Sequence, residues 1–199
     1  MDPNNQAIWQ KFHIHGGDTL PFSPWVVLGR GALAELFAEL KFKLGAEIGV
    51  RSGDYTKIMF DKNPGVEIVA VDPWSPYART SQARQDRYYR YCVEKLKPYN
   101  VRILRKTSME ALNDIPDNSL DFVYIDGLHD FDNVMMDIIG WSNKVKRGGI
   151  VSGHDYYQFY GYGIIPAVDT YARVHNINMY YVTRPVPEDE SPSWFWVKP

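Results

Sequence analysis

One cysteine among 199 residues, Cys92, has nothing to pair with, so an internal disulfide and a cysteine-built zinc site are both excluded. A reducing cytoplasm is the compartment this predicts. No run approaches the roughly 18 consecutive apolar residues of a membrane span. The amino terminus lacks a cationic stretch followed by an apolar run, so neither insertion nor secretion is expected. Charge of one sign is scarce too: 22 Lys and Arg stand against 24 Asp and Glu, and the basic residues are scattered. That leaves no field to draw a phosphate backbone or an anionic lipid, and neither is an expected partner. Repeats, low-complexity tracts and a second-domain linker are also missing; self-association is left open.

What is present is the balance of a folded domain, 45% hydrophobic and 23% charged, in a chain long enough for one core. The first stretch, through Trp25, mixes His13, His15, Gly16, Gly17, Pro21 and Pro24 with isolated aromatics and has no sustained periodicity. It reads as an arm over 1–27, packing on the domain or closing its site, with the domain itself at 28–199. Leu33, Leu36, Phe37, Leu40 and Leu44 then follow the Gly29 and Gly31 breakers at helical spacing.

From there apolar runs alternate with helical stripes. Ala46 to Val50 predicts a first strand ending in a Gly-containing turn, and Val66 to Val71 a second, stopped by Asp72-Pro73. Tyr88, Tyr91, Cys92 and Leu96 mark a helix face, Val101 to Leu104 a third strand, and Met109 and Leu112 a short helix. Leu120 to Ile125 is a fourth strand. Phe131, Val134, Ile138, Trp141 and Val145 stripe the next helix, and Ile150-Val151-Ser152 is a fifth strand. After a helix over Ala167 to Val174, the stretches Met179 to Thr183 and Trp194 to Val197 suggest a closing hairpin. Alternating strands and helices require long crossovers and therefore parallel pairing. The expected architecture is α/β, a Rossmann-like, doubly wound, mostly parallel sheet of about seven strands with helices on both faces and a final antiparallel strand.

In such sheets ligands bind beyond the carboxyl ends of the strands, and here those ends are polar. The first carries Glu47-Ile48-Gly49-Val50-Arg51-Ser52-Gly53, whose glycines allow a ligand close to the backbone. The second carries Asp72, twenty-five residues after Glu47 and placed to accept hydrogen bonds from two ribose hydroxyls. Gly45, Gly49 and Gly53 are spaced by four, unlike a dinucleotide fingerprint, and Glu47 inside the turn suits an ammonium group better than a phosphate. An adenosine-containing ligand with an amino-acid part is implied. Asp130, Asp132 and Asp137 are expected to cap or solvate their helix, and His13, His15 and His175 to be structural.

Four blocks extend this: the turn above, Val71-Asp72-Pro73-Trp74, Phe122-Val123-Tyr124-Ile125-Asp126-Gly127-Leu128-His129, and Arg147-Gly148-Gly149-Ile150-Val151-Ser152-Gly153-His154-Asp155-Tyr156. Over roughly residues 44 to 156 the sequence resembles the class I S-adenosylmethionine-dependent methyltransferases, and the last two blocks resemble the methyltransferase family 24 and macrocin O-methyltransferase-like branch. The resemblance implies an S-adenosylmethionine-binding domain. Glu47, Gly49, Ser52 and Gly53 would surround the methionine part and Asp72 the ribose. Ser108 would lie at the adenine and Asp126 below the sulfonium. Trp74 reads either as a neighbour of the adenosine or as a core aromatic, and Met109 as a ring contact or a buried helix residue.

The expected reaction is methyl transfer to a small-molecule acceptor, most readily a hydroxyl oxygen, with His129 and His154 as candidate bases. The alternative is a divalent metal such as magnesium, held by Asp126, His154 and Asp155, that lowers the pKa of the acceptor hydroxyl. The resemblance supports this, since some relatives in the branch use metal at corresponding strand-end acids, whereas His154 stands here where an acid would make a harder site. Two rival readings remain at this level: a nicotinamide-dependent oxidoreductase on the same sheet, and a non-catalytic cofactor-binding protein. A nucleic-acid methyltransferase is disfavoured by the lack of an Asn/Asp-Pro-Pro-aromatic block.

Overall fold

The structure is a computed structural model that describes residues 2–14, 29–78, 80–159, 161–187 and 189–199. Its centre is a seven-stranded sheet of β1 (Leu44–Ile48), β2 (Glu67–Val71), β3 (Val101–Leu104), β4 (Leu120–Ile125), β5 (Val145–Gly153), β6 (Tyr181–Val182) and β7 (Trp194–Val197), in the order β3-β2-β1-β4-β5-β7-β6. The first five strands are parallel; β7 runs antiparallel to both β5 and β6. The order reverses between β1 and β4, which makes the crevice over those two strand ends the expected ligand position.

Alternation along each strand explains the two core layers. Ile68, Ala70, Phe122, Tyr124, Ile150, Phe195 and Val197 face one apolar cluster, while Val69, Val71, Val123, Ile125, Val151, Trp194 and Trp196 face the other. The first layer is closed by α1 (Pro3–Lys11), α2 (Arg30–Glu39), α3 (Asp54–Lys62) and α4 (Gln82–Leu96). The second is closed by α5 (Ser108–Ala111), α6 (Phe131–Lys144) and α7 (Ile164–Val174).

Local chemistry sets where the helices begin. Ser81 accepts from the Arg84 amide to start α4, Thr107 and Glu110 form a reciprocal capping box on α5, and Asp130 accepts from the Asn133 amide to start α6. Asp130 thus caps its helix as expected.

Several boundaries differ from the sequence pattern. Leu44 and Val145 continue helical stripes in the sequence but begin strands β1 and β5, because an apolar residue at a layer boundary satisfies either period. Tyr91 is exposed; the buried side of α4 runs through Gln85, Cys92 and Leu96. The arm contains a helix, α1, whose Ile8 lies in the core with Phe12. Its Asn4 donates to the Gly148 carbonyl (2.7 Å), and its buried Asn5 accepts from the Tyr181 hydroxyl (2.8 Å). Tertiary contacts, not propensity, hold this nine-residue helix. The rest of the arm, with His15, Gly16, Gly17, Pro21, Pro24 and Trp25, lies outside the described residues. Among the described residues no helix is long and apolar enough to cross a membrane.

Candidate active site

The β1 turn is set by two close approaches. Gly49 has φ +90°, and a Cβ there would collide with the Asp126 carbonyl, because the exits of β1 and β4 touch backbone to backbone; the Asp126 amide donates to the Ile48 carbonyl at 2.7 Å. Gly53 begins α3. Glu47 is 2% exposed and accepts a hydrogen bond from the buried Thr56 hydroxyl. Burial, against the Thr56 bond and reinforced by the Asp126 charge, pushes its carboxyl up to about 8. Ser52 donates to Asp54 at 2.5 Å, at the first turn of α3.

At the end of β2, Asp72 accepts from the Arg51 amide (2.9 Å) on one oxygen and from the Trp74 amide (2.7 Å) on the other. Burial raises its pKa against these bonds. Each oxygen retains a lone pair for a further donor. Trp74 settles on the core side of its two readings: it has no exposed surface, its ring meets Tyr89 edge-on, and its indole N–H donates to the Arg51 carbonyl at 2.7 Å. It props the turn from beneath and is corrected here from a cofactor-lining residue to a core residue. Met109 is half-buried. Arg51, Trp74 and Asp155 are non-glycine residues with left-handed backbones at φ 53°, 43° and 58°, all just past strand ends. Such conformations are kept where surrounding structure over-determines them, commonly at functional sites.

Across the crevice, β4 and β5 bring Asp126, His129, His154 and Asp155 together. His129 Nε2 lies 3.2 Å from Asp155 and 3.8 Å from Asp126; His154 Nδ1 lies 3.2 Å from Asp155 and 3.8 Å from Asp126. One ligand atom from each of Asp126, His154 and Asp155 falls within 4.8 Å of the others. The two imidazoles differ in situation. His154 also meets Asp189 through Nε2 at 3.1 Å, so both ring nitrogens face carboxylates. Burial pulls its pKa down, but the bonds to Asp155 and Asp189 outweigh this and carry it up to about 9. The carboxylates around His154 thus favour its charged form. His129 is more open, with its ring against Tyr162 at 4.7 Å. Burial lowers its pKa too, and the Asp126 bond with the Asp155 and Asp126 charges raises it overall.

Comparison with known proteins names the scaffold. The profile of methyltransferase family 24, a methyltransferase domain, matches residues 46–156, more than half of the chain. The chain belongs to this family. It is a methyltransferase domain, and the oxidoreductase alternative finds no support. An uncharacterised protein of Sinorhizobium fredii (strain NBRC 101917 / NGR234), y4gI, is 28% identical over 136 residues, 68% of this chain but 14% of that protein, so the chain spans about one-seventh of that relative's length. Among solved structures, a candidate O-methyltransferase from Klebsiella pneumoniae superposes with a TM-score of 0.61 at 14% identity, covering 100% of this chain and 91% of that one. The O-methyltransferase TomG from Streptomyces achromogenes, involved in tomaymycin synthesis and solved with S-adenosylmethionine, gives 0.61 at 12%, covering 85% and 80%. At these identities the likeness is one of fold.

Three polar residues near these strand ends were not visible in the motifs. The Arg30 amide donates to Asp189 at 2.7 Å, and its guanidinium lies 3.5 Å from Asp189 and 3.8 Å from Asp126. The two residues are 159 positions apart, and no local pattern links them. Asp137, expected at a solvated helix face, is instead 5% exposed and accepts from the Ser108 hydroxyl. A signal for that existed, since position 137 falls on the Val134–Ile138–Trp141 stripe.

Proposed function

We propose that this methyltransferase moves the methyl group of S-adenosylmethionine to a hydroxyl oxygen of a small-molecule acceptor. The observation that carries the reading is the convergence of His129, Asp126 and Asp155 at the mouth of the crevice beside the Gly49 turn. The methionine part lies along Glu47, Gly49, Ser52 and Gly53, the ribose on Asp72 and the adenine toward Ser108, which puts the sulfonium near Asp126. Next to His129, the rings of Tyr157, Phe159 and Tyr162 meet at centroid distances of 5.0 to 6.4 Å, with Phe159 58% exposed. The Gly163 amide ties this loop to the His129 carbonyl at 2.6 Å. Such a wall suits a phenolic ring or the apolar face of a sugar.

In the mechanism the protein aligns acceptor, sulfur and methyl, excludes water and removes the acceptor proton. His129 is the proton acceptor in this reading, and Asp126 and Asp155, which face its Nε2, hold its ring. The donor set of two carboxylate oxygens and one imidazole nitrogen also fits a divalent cation held by Asp126, His154 and Asp155. When bound, a cation supplies acidification of the acceptor hydroxyl. An imidazole donor makes the site less suited to magnesium than an all-oxygen set. The buried Cys92 and the mixed surface charge support a cytoplasmic enzyme without a nucleic-acid or membrane partner.

Calorimetric titration tests the reading. S-adenosylmethionine and S-adenosylhomocysteine are expected to bind and NAD not to. Asp72→Ala should weaken both sulfur ligands by about 1.5 to 3 kcal/mol, since the ribose loses a charged acceptor. Tight NAD binding with no response to the sulfur ligands would overturn it.

Glu47 adds a linked proton. A folded-state pKa of about 8, against the ordinary value of 4.5, means that the unliganded protein holds a proton there that the unfolded chain lacks between those values. That stabilisation is complete below the lower value and lost as pH rises through the higher one. An ammonium group beside Glu47 favours the charged form. Near pH 6.5, S-adenosylhomocysteine binding should therefore release about one proton, read as a dependence of the calorimetric enthalpy on buffer ionisation enthalpy. Glu47→Gln should abolish that dependence; an unchanged dependence would remove Glu47 from the ammonium site.

A further inference from the structure

We propose that Arg51, Arg84 and Tyr88 form a binding site for the phosphoryl group of a small molecule, where the turn after β1 meets α4. The inference goes beyond the cofactor layout given above and does not depend on it.

Other cations around this rim have acids of their own. Lys95 pairs with Asp54, and Arg105 with Asp86 at 2.7 Å. The remaining oxygen of Asp54 accepts from Ser52 at 2.5 Å, so the acid nearest Arg51 on this turn is already engaged. Arg51 and Arg84 are exposed, and among the described residues no carboxylate lies within ion-pair distance of either. Both turn instead to one phenol. Arg51 Nη2 donates to the Tyr88 oxygen at 3.1 Å and Arg84 Nε donates to it at 2.9 Å. Their guanidinium carbons lie 4.9 and 5.5 Å from the centroid of the same ring.

The result is a cluster of donors without an acceptor. The Tyr88 oxygen receives two N–H groups, and its own hydrogen meets no acceptor among the described residues. Each guanidinium keeps further N–H groups for a ligand. Two like charges drawn to one oxygen repel each other, and a bound anion relieves that repulsion. Forked guanidinium donors match the oxygens of a phosphoryl group, and a phosphate dianion answers both charges where a carboxylate answers one. The same two bonds, Arg51 first, hold the Tyr88 phenol below its ordinary pKa, the response of an oxygen placed where negative charge is favoured.

The cluster is also held in place. The Arg51 amide donates to Asp72 at 2.9 Å and its carbonyl accepts from the Trp74 indole at 2.7 Å, which fixes its left-handed backbone. Tyr88 is half-buried and packs against the first core layer. Recognition at this distance needs no long-range field, and a chain with a formal charge of -2 supplies none. A mere staple between the β1 turn and α4 would set stability but bind no anion.

Calorimetric titration with inorganic phosphate, at neutral pH and low ionic strength, tests the site. The wild-type chain should show saturable binding, and Arg84→Gln should weaken it roughly 10- to 100-fold, the effect of losing a charged donor. Tyr88→Phe keeps both charges and should weaken it about threefold. Arg87→Gln removes one exposed charge from the same helix and should leave binding within about twofold of wild type. Cooperative melting of each variant is the control. Glucose 1-phosphate separates the two sources of the group. Tighter binding than inorganic phosphate with S-adenosylhomocysteine present places it on an acceptor, and equal binding makes it a free anion. Lack of saturable phosphate binding in the wild-type chain overturns the proposal whether or not the variants fold. Undiminished binding in folded Arg84→Gln overturns it too, as do equal losses in Arg84→Gln and Arg87→Gln, which reduce the effect to general surface charge.

Discussion

Gly49→Ala is expected to cost the fold about 3 kcal/mol or more and to abolish S-adenosylhomocysteine binding with it. Two effects add at this position. The φ of +90° is one that a side chain disfavours, and the new Cβ would strike the Asp126 carbonyl and crowd Gly127 Cα, which are backbone atoms with no rotamer to adjust. Relief requires β1 and β4 to part where the Asp126 amide bonds the Ile48 carbonyl, at the crevice that receives the ligand. Gly65→Ala separates the two effects. Its φ is +85°, nearly the same, but nothing lies within 4 Å of the added Cβ. It should lose only about 1 to 2 kcal/mol, the conformational share. Chemical denaturation of both variants decides the matter, and equal losses would show that the close approach of β1 and β4 contributes nothing.

The same turn shows what a sequence can and cannot carry. Glu47, Gly49, Gly53 and Asp72 were legible because each lies within a few residues of a strand that declares itself by its apolar run, so chain order fixes their place at the ligand edge. The sheet was legible for a related reason: Ile68 to Val71 and Phe122 to Ile125 are buried on both sides, and such runs fit little except a central parallel strand. What escaped depends on distant pairs. Helix α1 has no amphipathic signature because it is held at polar points, Asn4 on Gly148 and Asn5 on Tyr181. Asp189 sits in an acidic, proline-rich connection that reads as a spacer, and only folding brings it to His154 and Arg30. Trp74 had two readings that sequence weighs equally, and its burial decided between them. Asp137 was the avoidable miss, since a charged residue on a buried stripe asks for a partner.

His129→Ala should reduce kcat by about 10²- to 10⁴-fold, the usual contribution of a positioned general base, with KM for S-adenosylmethionine changed by no more than about twofold. The expectation follows from the contrast between the two histidines. His154 is 10% exposed at its side chain and has both nitrogens facing carboxylates, which favour its charged form. His129 is 28% exposed at its side chain, stands beside the Tyr162 ring that lines the acceptor wall, and meets its two carboxylates through Nε2. Its raised pKa fixes the sign of the pH dependence. The base form is the neutral one, so kcat climbs as pH rises through a midpoint raised above the ordinary histidine value, and the small residual rate of His129→Ala lacks that limb. The measurement is a kcat profile against pH, with a phenolic or sugar acceptor that the wild-type chain methylates and with cooperative melting of the variant as control. If His129→Ala keeps its rate and its acid limb, the proton leaves by another route. His154→Ala distinguishes a positioning role, because losing a charged neighbour of Asp126 and Asp155 should shift the limb without removing it.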